Sequence, residues 1–243
     1  MSSEPRLVEV RRNILKHNDV VAQALRERFR DAQVFVTSVV SSPGSGKTAL
    51  FERTLTLLRG QHGVAALVGD LATENDATRL ARSGAPVRQI TTGTLCHLEA
   101  AMISTALEGW DLDTLDFLFI ENVGNLVCPS SYDLGENLRL VLISVTEGED
   151  KPLKYPTIFN SADVAIVTKI DLAEAVEFDE TALVRNIQAV RPGMPVLKVS
   201  AKNGSGMGDL LDLLKDRHSG LQAAEAGARP GTNLARQPRG VSI

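Results

Sequence analysis

A glycine-rich segment early in the chain offers the clearest chemistry. Residues 41–48 read SSPGSGKT, with an apolar run at 34–40 before them and a helical pattern at 49–58 after them. Gly44 and Gly46 allow backbone N–H groups to turn toward one anion, because no Cβ stands in the way. The N-terminus of the following helix adds the positive end of its dipole. A strand, a glycine-rich loop and a helix in this order predict a phosphate-binding loop.

The side chains of this loop suit a nucleoside triphosphate. Lys47 can reach the β- and γ-phosphates, and the Thr48 hydroxyl suits a magnesium ion. We predict that Ser45 and Ala49 join the two glycines in binding the nucleotide. The segment departs from the usual pattern at Ser41, where that pattern has glycine. An ordinary glycine–serine loop is the alternative, but Gly-Lys-Thr between a strand and a helix disfavours it.

Two carboxylates stand at the ends of predicted strands. Asp70 and Glu121 each close an apolar run, and ligands of doubly wound sheets gather at the carboxyl ends of the strands. A carboxylate there can hold magnesium directly or through water. We therefore predict a magnesium site of Thr48, Asp70 and Glu121, which with Lys47 form the catalytic group. Asp70 could also orient the attacking water; capping of a following helix is the alternative for either acid.

The chain has two cysteines, Cys96 and Cys128, and His97 adjoins the first. Thiolate and imidazole are good ligands for nickel or zinc. Three ligands leave a tetrahedral or square-planar site incomplete, so water, a neighbouring residue or a second subunit would complete it. We predict that Cys96 begins a helix, on which it and His97 would point about 100° apart. Two inert buried cysteines and an ordinary core histidine are the alternative.

A buried apolar run ends in Thr168, Lys169 and Asp171, which read Thr-Lys-x-Asp. This resembles the guanine-reading motif of GTPases, which usually reads Asn-Lys-x-Asp. The Asp171 carboxylate can accept from the guanine N1–H and the exocyclic amine, a match that adenine cannot supply. The stem of Lys169 can lie over the base, and Thr168 replaces the usual asparagine.

A second short motif, Ser200-Ala201-Lys202, follows the last apolar run. It resembles the GTPase loop in which the backbone N–H of the alanine meets the guanine O6. Each tripeptide is weak alone, but both follow strands and lie downstream of a phosphate loop. Together they favour GTP over ATP.

Short apolar runs alternate with helical patterns along the chain. The predicted strands are residues 34–40, 64–69, 87–90, 116–121, 138–145, 163–168 and 196–200. The predicted helices that follow the first strand are residues 47–59, 75–83, 96–108, 179–190 and 207–217. The alternation predicts an α/β fold, a mainly parallel sheet with helices on both faces, in the doubly wound P-loop NTPase architecture.

Three regions are predicted. Residues 7–30 carry a helical apolar rhythm, which favours a helix packed on the core over a helix reserved for a partner. We therefore expect an N-terminal helical segment at 1–32 and a P-loop GTPase domain at 33–218. Residues 219–243 are rich in Ala, Gly, Arg, Pro and Gln without periodicity, which predicts a disordered tail.

Composition narrows the function classes. The 243 residues fit one α/β domain with appendages, and 43% hydrophobic residues support a sizeable core. A net charge of −4 does not suggest a nucleic-acid surface. No apolar run approaches the ~20 residues of a membrane span, and the N-terminus lacks the apolar core of a signal peptide. We expect a cytoplasmic protein with neither nucleic acid nor membrane as a partner.

Six segments of the chain resemble those of one protein family. They are SSPGSGKT (41–48), GDLATENDA (69–77), TTGTLCHLEA (91–100), ENVGNLVCP (121–129), EGEDKPLKYP (147–156) and TKID (168–171). With these segments the chain resembles the HypB family, GTPases that assist nickel insertion during [NiFe]-hydrogenase maturation. ENVGNLVCP and EGEDKPLKYP are long enough to make a chance match implausible.

The resemblance implies a slow GTPase that forms a GTP-dependent homodimer with a metal site near the subunit interface. GTP or GDP, Mg²⁺, and Ni²⁺ or Zn²⁺ at Cys96, His97 and Cys128 are the implied ligands. A HypA-type nickel chaperone and the hydrogenase large subunit are the implied partners. The match over 147–156 also leads us to expect Lys154 or Lys151 near the nucleotide or the dimer interface; a solvated charged loop is the alternative.

Three other functions remain open at this point. The chain could deliver nickel to another enzyme, such as urease, although the urease accessory GTPase carries Cys-Pro-His at its metal motif. It could be a P-loop kinase for a small molecule, which the two guanine-type motifs disfavour. It could also be a regulatory nucleotide-binding module with negligible turnover.

Overall fold

The computed structural model describes residues 6–70 and 75–228, with side chains at 13–70 and 75–224. Within them lies one seven-stranded sheet, in the order β3-β2-β4-β1-β5-β6-β7. Every neighbouring pair of strands is parallel. The strands are β1 (Phe35–Ser41), β2 (Val64–Asp70), β3 (Val87–Thr91), β4 (Phe117–Glu121), β5 (Leu138–Ser144), β6 (Val164–Thr168) and β7 (Val196–Lys198). The predicted doubly wound α/β fold is confirmed.

Eight α-helices occur in the same described ranges. They are α1 (Arg6–Asp31), α2 (Lys47–Leu58), α3 (Asn75–Ala81), α4 (Ala100–Ala106), α5 (Lys151–Lys154), α6 (Pro156–Ser161), α7 (Glu180–Val190) and α8 (Met207–Ala228). None of them is both long enough and apolar enough to cross a membrane.

The helices cover both faces of the sheet because successive strand residues point to opposite sides. On β4, Phe117 and Phe119 join the core beneath α2 and α8, whereas Leu118 and Ile120 join the core beneath α1 and α4. A third cluster seats α6 and α7 on β5 and β6. The strand order switches at β1, because β2, β3 and β4 lie on one side of it and β5, β6 and β7 lie on the other. A crevice therefore opens beyond the carboxyl end of β1, where the phosphate loop begins.

The helix predicted from Cys96 begins instead at Ala100, so this part of the prediction is wrong. Glu99 caps it with extended backbone, φ −117° and ψ 154°. The backbone N–H of Leu98 donates to the side chain of Asn122, at 3.0 Å, and not to a helical carbonyl. Cys96 and His97 therefore lie on an irregular segment, where the 100° spacing of an ideal helix does not apply.

The predicted disordered tail is wrong over its first part. Helix α8 continues through residues 219–228, because LQAAEAGA contains strong helix formers and Leu221 packs against the core. Residues 229–243 lie outside the described part. Two short helices, α5 and α6, were not predicted. Each has a proline in its first turn, a position that proline favours.

Candidate nucleotide and metal sites

The phosphate loop joins the end of β1 to the start of α2. Gly44 and Gly46 have φ angles of 77° and 99°, which side chains with a Cβ rarely adopt. Ser41 is buried where the usual pattern has glycine. Its Oγ accepts from Lys47 Nζ at 2.9 Å and from the Ser45 hydroxyl. Ser41 therefore holds the lysine within the loop.

Lys47 is a buried cation among acids. Burial lowers its pKa, and the charges of Glu121, Asp76 and Glu147 act in the opposite direction. Lys47, Asp76 and Glu121 face a cavity of about 560 Å³ that the phosphate loop also lines. The cavity therefore presents a buried positive charge that phosphate could pair with, beside acidic oxygens suited to a cation.

The residues predicted to bind magnesium meet in this cavity. Thr48 Oγ1 lies 2.7 Å from Glu121 Oε1 and 2.9 Å from Asp76 Oδ1, and Asp70 lines the same wall. Burial raises the pKa of Glu121 to about 7, although Thr48 and Lys47 act to lower it. Among the described residues, Glu121 Oε2 is buried without a hydrogen-bond partner. A buried spare oxygen beside a hydroxyl and a second carboxylate fits Mg²⁺, which prefers oxygen ligands.

Sequence reasoning missed Asp76 and Glu147. Asp76 lies in the first turn of α3, and its signal was its place within the matched segment 69–77. Glu147 accepts from the Ser42 hydroxyl and, through Oε1 at 3.1 Å, from the backbone N–H of Ser144. It thereby ties the turn after β5 to the phosphate loop. Neither acid ends a strand, which is why the search for strand-end carboxylates did not select it.

The second half of the crevice brings the guanine-type motifs together. Thr168 Oγ1 donates to the Ser45 carbonyl at 2.6 Å, and Lys169 Nζ donates to the Gly44 carbonyl at 2.7 Å. Ser200 Oγ lies 2.6 Å from Asp171 Oδ1 and orients that carboxylate. The Thr168 hydroxyl thus hydrogen-bonds to the phosphate loop, from the position where GTPases usually have asparagine.

These groups line a cavity of about 190 Å³ that also includes Ala201 and Lys202. Gly46, Ala49 and Lys169 line both this cavity and the phosphate cavity. The two spaces therefore adjoin, as the base and the phosphates of one nucleotide require.

Lys154 lies apart from both cavities. Its Nζ is 2.5 Å from Asp150 Oδ2, and its side chain is 60% exposed. Lys151 lies over the ring of Tyr155 instead, 5.5 Å from the centroid. A role for either lysine at the nucleotide or at an interface stays a prediction.

The predicted metal ligands converge. One ligand atom each from Cys96, His97 and Cys128 lies within 4.8 Å of the others, and no other such group of His, Cys, Asp or Glu occurs in the described part of the chain. The two sulfurs are 2.8 Å apart, and both cysteines are thiols that are partly exposed. We call these three residues the metal cluster.

His97 is held in place on both sides. Its ring stacks on Tyr132 with centroids 3.9 Å apart, and Nε2 lies 3.4 Å from Glu99 Oε1. In the part of the chain that is described, its Nδ1 is buried without a hydrogen-bond partner. An imidazole with a spare nitrogen, in one group with two thiols, fits a borderline-soft cation such as Ni²⁺ or Zn²⁺.

Cys128 begins a 3₁₀ turn, Cys128–Ser131. Asn125 Oδ1 accepts from the backbone N–H groups of Val127 and Cys128, at 2.7 and 3.2 Å. Only seven positions separate Cys128 from Glu121 of the phosphate cavity. One ligand of the metal cluster and one magnesium-type residue therefore lie on the same short stretch of chain.

Known proteins match most of this chain. Residues 35–198 match the family model described as CobW/HypB/UreG, nucleotide-binding domain. The hydrogenase maturation factor HypB of Azotobacter chroococcum is 46% identical over 211 residues, which are 86% of this chain and 68% of that protein. The hydrogenase/urease maturation factor HypB of Helicobacter pylori is 42% identical over 86% of this chain and 88% of its own length.

Two solved structures share the fold. HypB from Helicobacter pylori in complex with nickel superposes with a TM-score of 0.80 and 41% identity, over 84% of this chain and 96% of that one. The hydrogenase maturation factor HypB from Archaeoglobus fulgidus gives 0.77 and 36%, over 84% and 99%. Sequence and fold agree, and the chain belongs to the CobW/HypB/UreG family of nucleotide-binding proteins, as a member of the HypB type.

Proposed function

We propose that this chain is a GTP-hydrolysing metallochaperone for the maturation of [NiFe]-hydrogenase. GTP would drive homodimerisation, and dimerisation would control the binding and transfer of nickel, the cargo. The observation that carries the proposal is the short connection between Glu121 in the phosphate cavity and Cys128 in the metal cluster. The names of the relatives, and the nickel complex of one of them, support the client and the metal.

Asp171 would select guanine. Its carboxylate is oriented by Ser200 and can accept two hydrogen bonds from the guanine edge. Lys169, which already reaches over the phosphate loop to the Gly44 carbonyl, would cover the base plane. The Ala201 N–H would meet the guanine O6.

The phosphates would lie in the loop, against the buried Lys47 ammonium. Thr48, Asp76 and Glu121 would hold Mg²⁺, with Asp70 directly or through water. Magnesium, when bound, neutralises charge on the β- and γ-phosphates. Asp70 is also our candidate to orient the attacking water. The slow turnover that we propose would suit a switch.

Cys96, His97 and Cys128 would bind one Ni²⁺ ion, and Zn²⁺ can compete for the same donors. Three protein ligands leave a coordination position for water or for the matching residues of the second subunit. A HypA-type nickel chaperone and the hydrogenase large subunit are the proposed partners in transfer.

Delivery to urease is the second candidate function. It is favoured by the Helicobacter pylori relative, which is a hydrogenase/urease maturation factor. Incubating the nickel-loaded protein with apo-hydrogenase large subunit or with apo-urease separates the two candidates. Activation of the hydrogenase alone supports the first candidate, and activation of urease alone supports the second.

One set of measurements tests the proposal as a whole. Hydrolysis of GTP and ATP, sedimentation velocity and Ni²⁺ titration are compared with GDP and with a non-hydrolysable GTP analogue. We expect hydrolysis of GTP only, a dimer with the analogue, and a nickel affinity that differs between the two states. The Cys96→Ala, Cys128→Ala double variant should lose tight nickel binding and keep nucleotide binding. Equal hydrolysis of ATP and GTP, or full nickel binding by the double variant, contradicts the proposal.

A further inference from the structure

Leu98 connects the first metal-ligand segment to the sheet. It follows His97 directly and is fully buried. Its side chain covers Gly69 at the end of β2, where an added Cβ would come within 2.7 Å of Leu98 Cγ. Its backbone N–H donates to Asn122 Oδ1 at 3.0 Å. The position of Cys96 and His97 is therefore set by the carboxyl ends of β2 and β4.

Asn122 is the residue at which three segments meet. Its buried side-chain oxygen accepts from the N–H groups of Leu98 and Val123, at 3.0 and 2.9 Å. Its backbone N–H donates to the Val39 carbonyl of β1 at 3.1 Å, and it lines the phosphate cavity beside Glu121. One amide side chain thus joins the phosphate cavity to both stretches that carry metal ligands.

Asn18 of α1 makes a comparable bridge on the side away from the phosphates. Its Oδ1 accepts from the Ala100 N–H and its Nδ2 donates to the Asp133 carbonyl, both at 2.9 Å. It also ties the stretch after Cys96 to the stretch after Cys128, but it lines the groove between α1 and α4 and not the phosphate cavity. The chain thereby offers a matched control, a second buried asparagine that holds the same segments without touching the nucleotide side.

We propose that Asn122 is the positioning residue through which the nucleotide state reaches the metal cluster. The inference rests on the proposed function, because it requires that nucleotide and nickel affect one another. A shift of Glu121 toward or away from bound magnesium moves Asn122, the next residue. A buried N–H left without its acceptor is costly, so Leu98 and Val123 follow the Asn122 oxygen. Both ligand-bearing segments then move together. They form one element whose position both the nucleotide and the nickel can influence.

The test is a Ni²⁺ titration of the full chain with GDP and with a non-hydrolysable GTP analogue. Thiolate-to-nickel absorption reports the coordination in each state. The measured quantity is the ratio of nickel Kd values between the two states, for wild type, Asn122→Ala, Asn122→Asp and Asn18→Ala. Coupling between sites is commonly about 5- to 150-fold. We expect a wild-type ratio in that range and a ratio within about twofold of unity for Asn122→Ala.

The other variants separate coupling from general support. Asn122→Asp keeps an acceptor for both N–H groups and should restore most of the ratio. Asn18→Ala should weaken nickel binding to a similar extent in both states and leave the ratio unchanged. If Asn122→Ala does not fold, Asn122→Ser, whose hydroxyl can serve one of the two N–H groups, should reduce the ratio in part.

Each failure has its own meaning. A wild-type ratio of one contradicts the proposed function itself. A wild-type ratio that Asn122→Ala leaves unchanged overturns the role of Asn122 and spares that function. If Asn18→Ala and Asn122→Ala both bring the ratio of nickel Kd values close to unity, the role of Asn122 is also overturned. Any loosening of the two ligand-bearing segments would then be enough to abolish the coupling.

Discussion

The nucleotide crevice and the metal cluster are built in different ways. Most residues of the crevice follow directly from the ends of strands or begin α2, so the sheet itself positions Lys47, Glu121 and Thr168. The metal cluster lies on two irregular stretches, and the buried amides of Asn18 and Asn122 join these to the rest of the molecule. The first region is pre-formed by regular structure. The second depends on a few side-chain bonds, which suits the proposed response of the metal site to the nucleotide state.

The largest expected effect comes from a substitution that disables the phosphate cavity and leaves the metal cluster intact. Lys47→Ala removes a buried cation that lies among the acids of the phosphate cavity. We expect GTP turnover to fall by at least about 10³-fold, since positioning and charge stabilisation dominate phosphoryl transfer. Nickel binding without nucleotide should stay near the wild-type value, because no metal-cluster ligand touches Lys47.

Steady-state phosphate release and a nickel titration measure the two effects. Arg217→Ala, an exposed change on α8, is the control for general damage. Retained hydrolysis in Lys47→Ala would remove the phosphate-loop assignment.

The next effect is a pH dependence of stability caused by the buried carboxyl group of Glu121 in the crevice. The pKa of Glu121 is raised by burial to about 7, above its ordinary value in the unfolded chain. Without nucleotide and metal, the folded protein therefore holds a proton that the unfolded chain has released. The resulting stabilisation is fully present below the unfolded pKa and is lost as pH rises through about 7.

We expect the unfolding free energy of the metal-free, nucleotide-free protein to fall by up to about 3 kcal/mol over that window. Urea unfolding in a chelator from pH 5 to 8 measures this change. Glu121→Gln should flatten the profile, and GTP with Mg²⁺ should do the same in wild type. An equally steep profile in Glu121→Gln would assign the slope to other groups.

The same contrast explains how much the sequence could predict. All seven strands lie within two residues of their predicted bounds, because buried parallel strands are continuous apolar runs with polar residues at their ends. Asp171 and Glu121 were found for that reason. The course of the chain at Cys96 could not be found locally, because the Leu98 N–H bonds to a side chain 24 positions away.

The metal-ligand set was predicted from residue types and the family resemblance. Cys96, His97 and Cys128 converge although the predicted helix at Cys96 does not form. Lys154 was selected by resemblance alone: its side chain pairs with Asp150 and does not line either cavity, so its role stays a prediction.

Base selection should show a smaller effect that belongs to the crevice alone. Asp171→Ala removes an acceptor that guanine would use twice, and charge-assisted hydrogen bonds are worth roughly 1.5–3 kcal/mol. We therefore expect a loss of about 10- to 100-fold in GTP affinity with ATP affinity unchanged. Asp171→Asn should shift the preference toward xanthosine triphosphate, because it replaces one acceptor with a donor. Competition binding with the three nucleotides measures the change, and wild-type protein that binds ATP and GTP equally would contradict the assignment.

The smallest expected effect probes the contact between the two regions. Gly124 lies against the phosphate loop, where an added Cβ would meet the backbone Cα and N of Pro43 at 3.0 and 3.1 Å. Backbone atoms cannot swing aside as a flexible side chain can, so Gly124→Ala must separate the loop from the Glu121–Cys128 stretch by a few tenths of an ångström. We expect GTP affinity to fall by about three- to tenfold, equivalent to roughly 1 kcal/mol.

Gly220→Ala on α8 is the matched control, because a Cβ there meets nothing within 4 Å and alanine favours a helix. It should leave both affinities unchanged. In Gly124→Ala the nickel affinity of the GTP-analogue state should move with the GTP affinity, since the displaced stretch carries Cys128 and linkage makes the coupling reciprocal. A change confined to GTP would show that the phosphate loop does not act on the cluster through this contact, which would leave the bonds of Asn122 as the connection to test.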